Sequence, residues 1–485
     1  MDKLRPRSPE SFLLIAILLI ALLLRVGVAI HFPSIEWGDE IFNTLEPAHH
    51  LAYGYGIVVW DWRLGIRSWV FPAFLAGVMR TTDWMGRGSL GYLRAIAIIL
   101  SLLSLTTVWF GYAWAKRARG NAAAMIAAGA CATWYELVYF APKALNDVVA
   151  MNFLLPGLYL GIYGEALPEK KRLFFAGLFC GVAMSLRMYL TPTVIFAVLC
   201  FCHTNWRRRA LPTFLGLLMP ILAFGLVDAI TLSYPFQSFF RFFWVVIEGR
   251  SLARGGLGYD FAPDPWYWYL LQIAVHCLPL FWLALLGVRR SRFLGWFAVI
   301  IVATLSVLPH KEYRYMYPVM PIVITLAALG FVEFAEDFNR WGKTPLSSKA
   351  ITVAGLMFCI LTSVLFAWRS PRWTHSSGGL IVMDRLSQDP SVCGVGLYKL
   401  SWLYSGGYSH LHQNVPIILV LRDAELEDQA PGFNALITDG ILTAQNLGFK
   451  SAGCWNGVCL YRRPGPCIVS SQYNEVNKVL REHGK

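Results

Sequence analysis

The sequence runs to 485 residues, 56% of them hydrophobic, with 42 Lys and Arg against 29 Asp and Glu and a formal net charge of +13; its mean hydropathy is +0.50. Soluble enzymes carry about 45–50% apolar residues, so composition excludes an ordinary soluble fold, and long runs without alternation exclude a porin-like barrel. A basic chain could suit nucleic acid, but here Lys and Arg gather at the ends of apolar runs, where they report membrane topology and imply no nucleic-acid partner.

The first apolar run, Ser11 to Ile30, follows Lys3, Arg5 and Arg7 and meets His31-Phe32-Pro33 in place of a small-residue cleavage site, so it reads as an uncleaved anchor. Further spans are expected at 92–115, 121–141, 146–164, 172–187, 190–204, 210–230, 266–287, 293–309, 315–335 and 350–368, for about eleven membrane helices. Basic clusters at Lys116/Arg117/Arg119, Lys170/Lys171/Arg172, Arg207/Arg208/Arg209, Arg289/Arg290/Arg292 and Arg340/Lys343/Lys349 mark every second loop. Positive loops stay in the cytoplasm, which puts the loops 31–91 and 231–265, the turn near 310–314 and the tail from 369 outside.

The first external loop begins Glu36-Trp37-Gly38-Asp39-Glu40 and continues through Glu46 to His49-His50. Partial desolvation at a bilayer surface suits a carboxylate to act as a general base. Adjacent acids on a helix diverge by about 100°, so one of Asp39 and Glu40 is expected in the reaction and the other among its neighbours. A solvated acidic loop or a helix cap is the plainer alternative. Next comes an aromatic stretch, Trp60-Asp61-Trp62-Arg63 and Ile66-Arg67-Ser68-Trp69, suited to a helix lying in the interface. Arg67 can hold a phosphate in bidentate fashion, or make a structural salt bridge to Glu46 or Asp61.

Arg187, within Leu186-Arg187-Met188-Tyr189, sits where two short spans meet and is expected at the apex facing a cavity; Glu136 and Lys143 are weaker candidates, as lone charges at helix ends. The densest cluster is His310-Lys311-Glu312-Tyr313-Arg314-Tyr315-Met316-Tyr317-Pro318, between two apolar spans. Ionisable groups at a membrane edge mark substrate paths, and His, Lys and Arg together suit an anionic headgroup. The tail carries short β-like runs at Gly394–Tyr398, Val415–Leu421, Ala435–Thr438 and Val458–Tyr461, and reads as a small α/β domain, 370–485, after a membrane domain of 1–369. Cys454-Trp-Asn-Gly-Val-Cys459 puts a turn between two thiols that a disulfide could staple, and Cys393 with Cys467 could form a second bridge. The other six cysteines read as small apolar packing or lipid-facing residues.

On these residues the chain resembles glycosyltransferase family 22, the GT-C-fold mannosyltransferases that use dolichyl-phosphate-mannose in N-glycan precursor and GPI-anchor assembly. Trp37 to Asn43 with Glu46-Pro47 is similar to the family's acidic first-loop motif, and Trp60-Asp61-Trp62 with Ile66-Arg67-Ser68-Trp69 to its next two segments. His310 to Tyr315 resembles its His-Lys-Glu-x-Arg-Phe signature, with Tyr for Phe, and Tyr259 with Pro265-Trp266-Tyr267-Trp268-Tyr269 resembles its Tyr-Gly and Pro-Trp-x-Trp-Tyr loop. The segment Leu190-Thr191-Pro192 departs from the family's Arg-Pro-Thr, and the tail departs altogether.

The resemblance implies an all-α polytopic GT-C fold and an inverting transfer of mannose from a polyprenyl-phosphate donor to a glycan or glycolipid acceptor on the exoplasmic face. It implies Asp39 as the base, with Glu40 and Glu312 orienting the site. Lys311, Arg314, Arg67 and His310 would hold the donor phosphate, and Arg187, Trp62, Tyr259 and Trp266 the substrate. No cofactor is implied, and no Asp-x-Asp motif or His/Cys ligand cluster suggests a metal. The absence of any Asn-x-Ser/Thr acceptor favours a bacterial inner membrane with a periplasmic site over an ER membrane with a luminal one. A GT-C transferase for another sugar or for protein stays open, as does a transporter or lipid flippase, although no inverted repeat is seen and the charges gather at one face.

Overall fold

A computed structural model describes residues 9–86, 88–164, 167–248, 264–308, 310–341, 345–440 and 447–483. Among these, five helices are long and apolar enough to cross a membrane: Glu10–His31, Leu90–Arg119, Trp206–Thr231, Tyr313–Arg340 and Ser348–Arg369. A sixth span, expected as one helix over 266–287, is instead two helices, Trp268–His276 and Leu278–Gly287, bent by 106°. Cys277 leaves helical geometry there and Pro279 stands in the first turn of the second helix; proline cannot supply the amide that would continue the first.

Other expected spans are shorter because local backbone breaks them. The 121–141 run is split by an extended Trp134 into Asn121–Thr133 and Tyr135–Phe140. An extended Arg187 separates Glu169–Leu186 from the turn that leads into Thr191–Cys202.

The chain divides into two compact units, each assembled from separated segments: 1–28, 98–224 and 261–370 in the first, and 29–97, 225–260 and 371–485 in the second. The first external loop and the tail thus fold in one unit. The first unit packs its helices backbone to backbone where glycines allow it. A Cβ on Gly287 would lie 1.9 Å from the Leu326 carbonyl oxygen, and one on Gly330 1.8 Å from that of Leu283, so Leu278–Gly287 and Met320–Trp341 approach as small-residue faces do in lipid. Members of the basic clusters end in ion pairs at helix ends: Arg290 grips Glu333 with two hydrogen bonds, one of 2.7 Å, and Arg119 reaches the same carboxylate at 3.4 Å.

In the second unit the tail forms a five-stranded sheet of order β2-β1-β3-β5-β4, from β1 (Val395–Tyr398), β2 (Ile417–Val420), β3 (Ala435–Thr438), β4 (Lys450–Trp455) and β5 (Val458–Arg462). β1 runs parallel to β2 and β3, and β5 antiparallel to β3 and β4. The three parallel strands are buried on both faces, which is why they read as unbroken apolar runs. β4 escaped the sequence reading because its side chains are mostly exposed, with no apolar alternation. Phe433 leads the core on one face, with Tyr398, Ile418, Val420, Leu426 and Leu436 around it. β4 turns into β5 through Asn456 (φ 46°) and Gly457 (φ 83°), the two left-handed residues of a tight hairpin, and Cys454 is bonded to Cys459 across it. Cys393 is bonded to Cys467. Five of the six free cysteines are buried packing residues.

The Cys393–Cys467 bridge spans 74 residues of chain and the Cys454–Cys459 bridge 5. Loop-closure entropy makes the first worth about 4 kcal/mol and the second about 2 kcal/mol. Paired Cys→Ser exchange is therefore expected to lower the tail's unfolding midpoint more at 393/467 than at 454/459, as read by thermal unfolding with proteolysis of the tail.

Candidate active site

The second unit holds Asp39, Glu40, Trp62 and Arg67. Asp39 opens a helical turn directly after Gly38, whose carbonyl accepts from Ile41 and Phe42 at 3.0 and 2.8 Å. The chain then widens into a π-helical turn, Ile41–Leu45, before Glu46–Tyr53; such turns recur at functional sites. Asp39 is half-buried, and its Oδ1 accepts a 2.8 Å hydrogen bond from the Asn43 side-chain amide, which orients the carboxylate. The carbonyl of Glu40 accepts from the Thr44 hydroxyl. Trp62 is buried, donates to the Phe42 carbonyl at 3.2 Å and packs on Trp69. Arg67 meets Asp61, through both Nε and Nη2, at 2.7 Å, with Phe242 5.8 Å beneath its guanidinium. Of the two salt bridges open in the sequence, Asp61 is the partner.

Glu46 is instead locked inside the unit with no exposed surface. Its Oε2 accepts from Ile57 N at 2.6 Å and its Oε1 from Ser409 N, so a first-loop carboxylate fastens a tail helix. Gly407, at φ 61°, makes the approach possible, since a Cβ there would lie 2.6 Å from Oε1. Around it Tyr92 donates to the Ser409 carbonyl at 2.6 Å, Glu36 pairs with Arg372 at 2.9 Å and Ser89 donates to Asp384 at 2.9 Å. Burial pushes Glu46 up to about 7, against the backbone amides that pull it down, and likewise pushes Asp384 up to about 7.

The first unit holds the second set. Tyr313–Val319 is a 3₁₀ turn, because Pro318 interrupts α-helical bonding until Met320. Lys311 is buried, its Nζ donating to the carbonyls of Leu308 (2.6 Å) and Asp264 (3.2 Å). Glu312 takes Arg314 Nε at 2.6 Å on one oxygen and His310 Nε2 at 2.9 Å on the other. Arg314 is buried, whereas His310 is 40% exposed and faces outward. The Tyr269 hydroxyl bonds both the amide and the carbonyl of Glu312, at 3.3 and 3.4 Å. Within Pro265-Trp266-Tyr267-Trp268-Tyr269 it is this buried tyrosine that braces the cluster, while Trp266 is 68% exposed. Tyr259 lies outside the described residues.

Arg187 lies at the break between helices, as its surroundings suggested, and is paired with Asp147, which also accepts from Tyr189 at 2.7 Å. Arg187 stands 6.0 Å from the Tyr315 ring and Arg314 5.1 Å from the same ring. Tyr313 donates to Glu136, which also takes the Trp134 indole at 3.2 Å. Sequence reasoning missed Asp147 altogether. The available signal was an acid at the start of an otherwise apolar span, which is costly unless it meets a cation.

The arrangement offers an oriented carboxylate in one unit and a network of cations around one glutamate in the other. The sequence of the Alg9-like mannosyltransferase family matches residues 16–391, well over half of the chain. The chain belongs to the Alg9-like mannosyltransferase family. It is a membrane glycosyltransferase of that family. It is 27% identical to GPI mannosyltransferase 3 of Yarrowia lipolytica, covering 85% of this chain and 78% of that one. It is 23% identical to human GPI alpha-1,2-mannosyltransferase 3, covering 78% and 67%. In fold it is similar to ArnT from Cupriavidus metallidurans bound to undecaprenyl phosphate, with a TM-score of 0.63 at 12% identity over 94% of this chain and 98% of that one. The Archaeoglobus fulgidus oligosaccharyltransferase in its apo form gives 0.54 at 11% identity, over 89% and 69%. These likenesses identify the fold as GT-C.

Two outcomes follow from the buried charges. Asp147→Asn strands the Arg187 guanidinium and is expected to cost about 3–5 kcal/mol, whereas Asp147→Asn with Arg187→Met recovers part of the loss; thermal unfolding in detergent reads both. A Glu carboxyl raised from 4.5 to about 7 on folding binds more protons folded than unfolded between those values. Stability present below the lower value is thus lost as pH rises through the upper one. The midpoint of the second unit should fall between pH 5 and pH 7.5, and Glu46→Gln should lessen that dependence, leaving the share of Asp384.

Proposed function

We propose that the protein transfers mannose, with inversion, from a polyprenyl-phosphate-mannose to a hydroxyl of a glycan or glycolipid acceptor. Family membership supports the sugar and the class. The observation that carries the reading to residues is Asp39, a half-buried carboxylate held by Asn43 at the first turn after a membrane helix. The acceptor oxygen attacks the anomeric carbon from the face opposite the phosphate. The carbon–oxygen bond to the phosphate breaks, and the acceptor proton passes to Asp39. Polyprenyl phosphate leaves with its charge met by Arg314 and His310, which Glu312 holds in place, and by Lys311. Glu40 orients the site beside the base, and Arg67, paired with Asp61, joins the cations offered to the phosphate. The proposed mechanism assigns no step to a divalent metal.

The curated relatives act, by name, in GPI mannosylation, so a GPI-type glycolipid and an α-1,2 linkage are the first acceptor and product to test. The ArnT structure holds undecaprenyl phosphate, which favours a long polyprenyl donor. Positive loops and the two disulfides support an exoplasmic site facing an oxidising compartment. We place it in a bacterial periplasm, on the absence of glycosylation acceptors in the tail.

The test is transfer of radiolabelled mannose from a short-chain polyprenyl-phosphate-mannose by purified protein, with a host lipid extract as acceptor. Asp39→Asn is expected to lower turnover by about 10²–10⁴-fold with donor binding retained, and EDTA to leave wild-type turnover unchanged. Full activity in the variant would remove Asp39 from the role of base.

A further inference from the structure

The second external loop contains an element that the reaction does not use, the helix Gln237–Glu248. It follows the membrane helix Trp206–Thr231 after a short turn, and that helix points Leu222, Leu226 and Ile230 outward, at 58, 63 and 75% exposure. These three recur every four residues and form the lipid-facing stripe of a span. The turn is built: Phe236 adopts a left-handed conformation (φ 59°) and its ring lies where a Cβ on Gly225 would be, 2.3 Å from the nearest ring carbon. The Asp228 carboxylate accepts from Ser238 N at 3.0 Å and from its hydroxyl at 2.6 Å, which ties the start of the helix to the end of the span.

The helix has two unlike faces. Toward the first loop, the exposed Arg241 donates to the Leu64 carbonyl at 2.7 Å, and Phe242 lies beneath the Arg67 guanidinium. Gly65, at φ 63°, gives the Gln237 side chain its place, since a Cβ there would be 2.3 Å from Nε2. Outward, Phe239, Phe240, Phe243 and Trp244 are 41, 56, 59 and 61% exposed. Their spacing puts all four rings on one side of the helix.

Four exposed aromatic rings in one patch are costly in water. At 12 residues the helix is too short to cross a bilayer, and its start is tied to the end of a lipid-facing span. We propose that Phe239, Phe240, Phe243 and Trp244 insert into the headgroup region of the bilayer, making this helix a lipid-seated support for the Leu64–Arg67 turn. Rings of this kind settle at the boundary of headgroups and acyl chains. The depth of the helix in the lipid then sets the height of Arg67 above the hydrocarbon.

The test places the photoreactive residue benzoylphenylalanine in the full-length protein, in nanodiscs of radiolabelled phosphatidylcholine and phosphatidylglycerol. Phe240→benzoylphenylalanine and Phe243→benzoylphenylalanine report the outward face. Phe242→benzoylphenylalanine reports the inward face, and Leu226→benzoylphenylalanine sets the lipid yield of the span. Lipid adducts at 240 and 243 close to the yield at 226, and several-fold above that at 242, are expected. Adducts at 240 and 243 within the chain or to a second copy, or lipid yields there far below that at 226, would overturn the proposal. Should the 242 variant fail to fold, the comparison of 240 and 243 with 226 still decides.

Discussion

A hydrocarbon interior leaves an ionised side chain no water to bind, so every charge inside a membrane helix bundle must find an opposite charge or a set of dipoles. The first unit is arranged around that requirement. Asp147 answers Arg187, Glu312 answers Arg314, and Glu333 answers Arg290. Arg25, fully buried in the first span, leans on the Thr107 hydroxyl at 3.3 Å and the Cys131 carbonyl at 3.1 Å. The Asp147–Arg187 and Glu333–Arg290 pairs join elements some forty residues apart, whereas Glu312 and Arg314 meet within one turn. Glu312 is the centre: one carboxylate takes Arg314 and His310, while its own backbone is held by Tyr269. The side chains of this cation set are thus held in place by partners within the unit.

The second unit meets a different constraint. A loop of some sixty residues rich in acids and aromatics must be held still if one of its carboxylates is to act as a base, and local structure there is short: a π-helical turn, one turn of helix at Trp60–Arg63 and two short helices around them. The tail supplies what the loop lacks. Glu46 reaches the Ser409 amide, Glu36 the Arg372 side chain, and Ser89 the Asp384 carboxyl. Acids thus stand in two settings within a few residues, Asp39 half-buried and held by Asn43, and Glu46 fully buried in the architecture. The price of burying Glu46 is its raised pKa, which makes the unit's stability sensitive to pH near neutrality.

The same division governs the cations. Arg314 and His310 share a glutamate, Lys311 is surrounded by main-chain oxygens, and Arg67 is shared between Asp61 and a phenyl ring. Such positions restrain the head of each side chain, and a phosphate would then compete with, or bridge to, partners already in place. The interfacial helix proposed here adds the missing reference level, since a lipid-linked sugar is presented at a fixed depth and the protein must hold its groups at that depth too.

Much of this was legible in the sequence. Apolar runs separated by basic clusters specify a helical membrane protein, and the acidic first loop and His310–Tyr315 stood out because charge density at a membrane edge is costly and therefore informative. The parallel strands of the tail were legible too, from short apolar runs, and so was the Cys454–Cys459 staple, from a turn between thiols, whereas Cys393–Cys467 was only one possible pairing. What spacing could not supply were partners. Asp147 looks like any acid at a helix start until Arg187, 40 residues on, is seen beside it, and Glu46 looks like its neighbours Glu36 and Glu40 until Ser409 closes on it. Breaks at Trp134 and Cys277 were invisible because hydropathy averages over a window and does not register one extended residue. The sequence by itself determined the class of structure and the residues expensive enough to matter, because solvation is a property of each side chain. Which of them pair deep inside the fold and which stay partly exposed was decided only by tertiary structure, because a pairing depends on residues that the chain brings together from far apart.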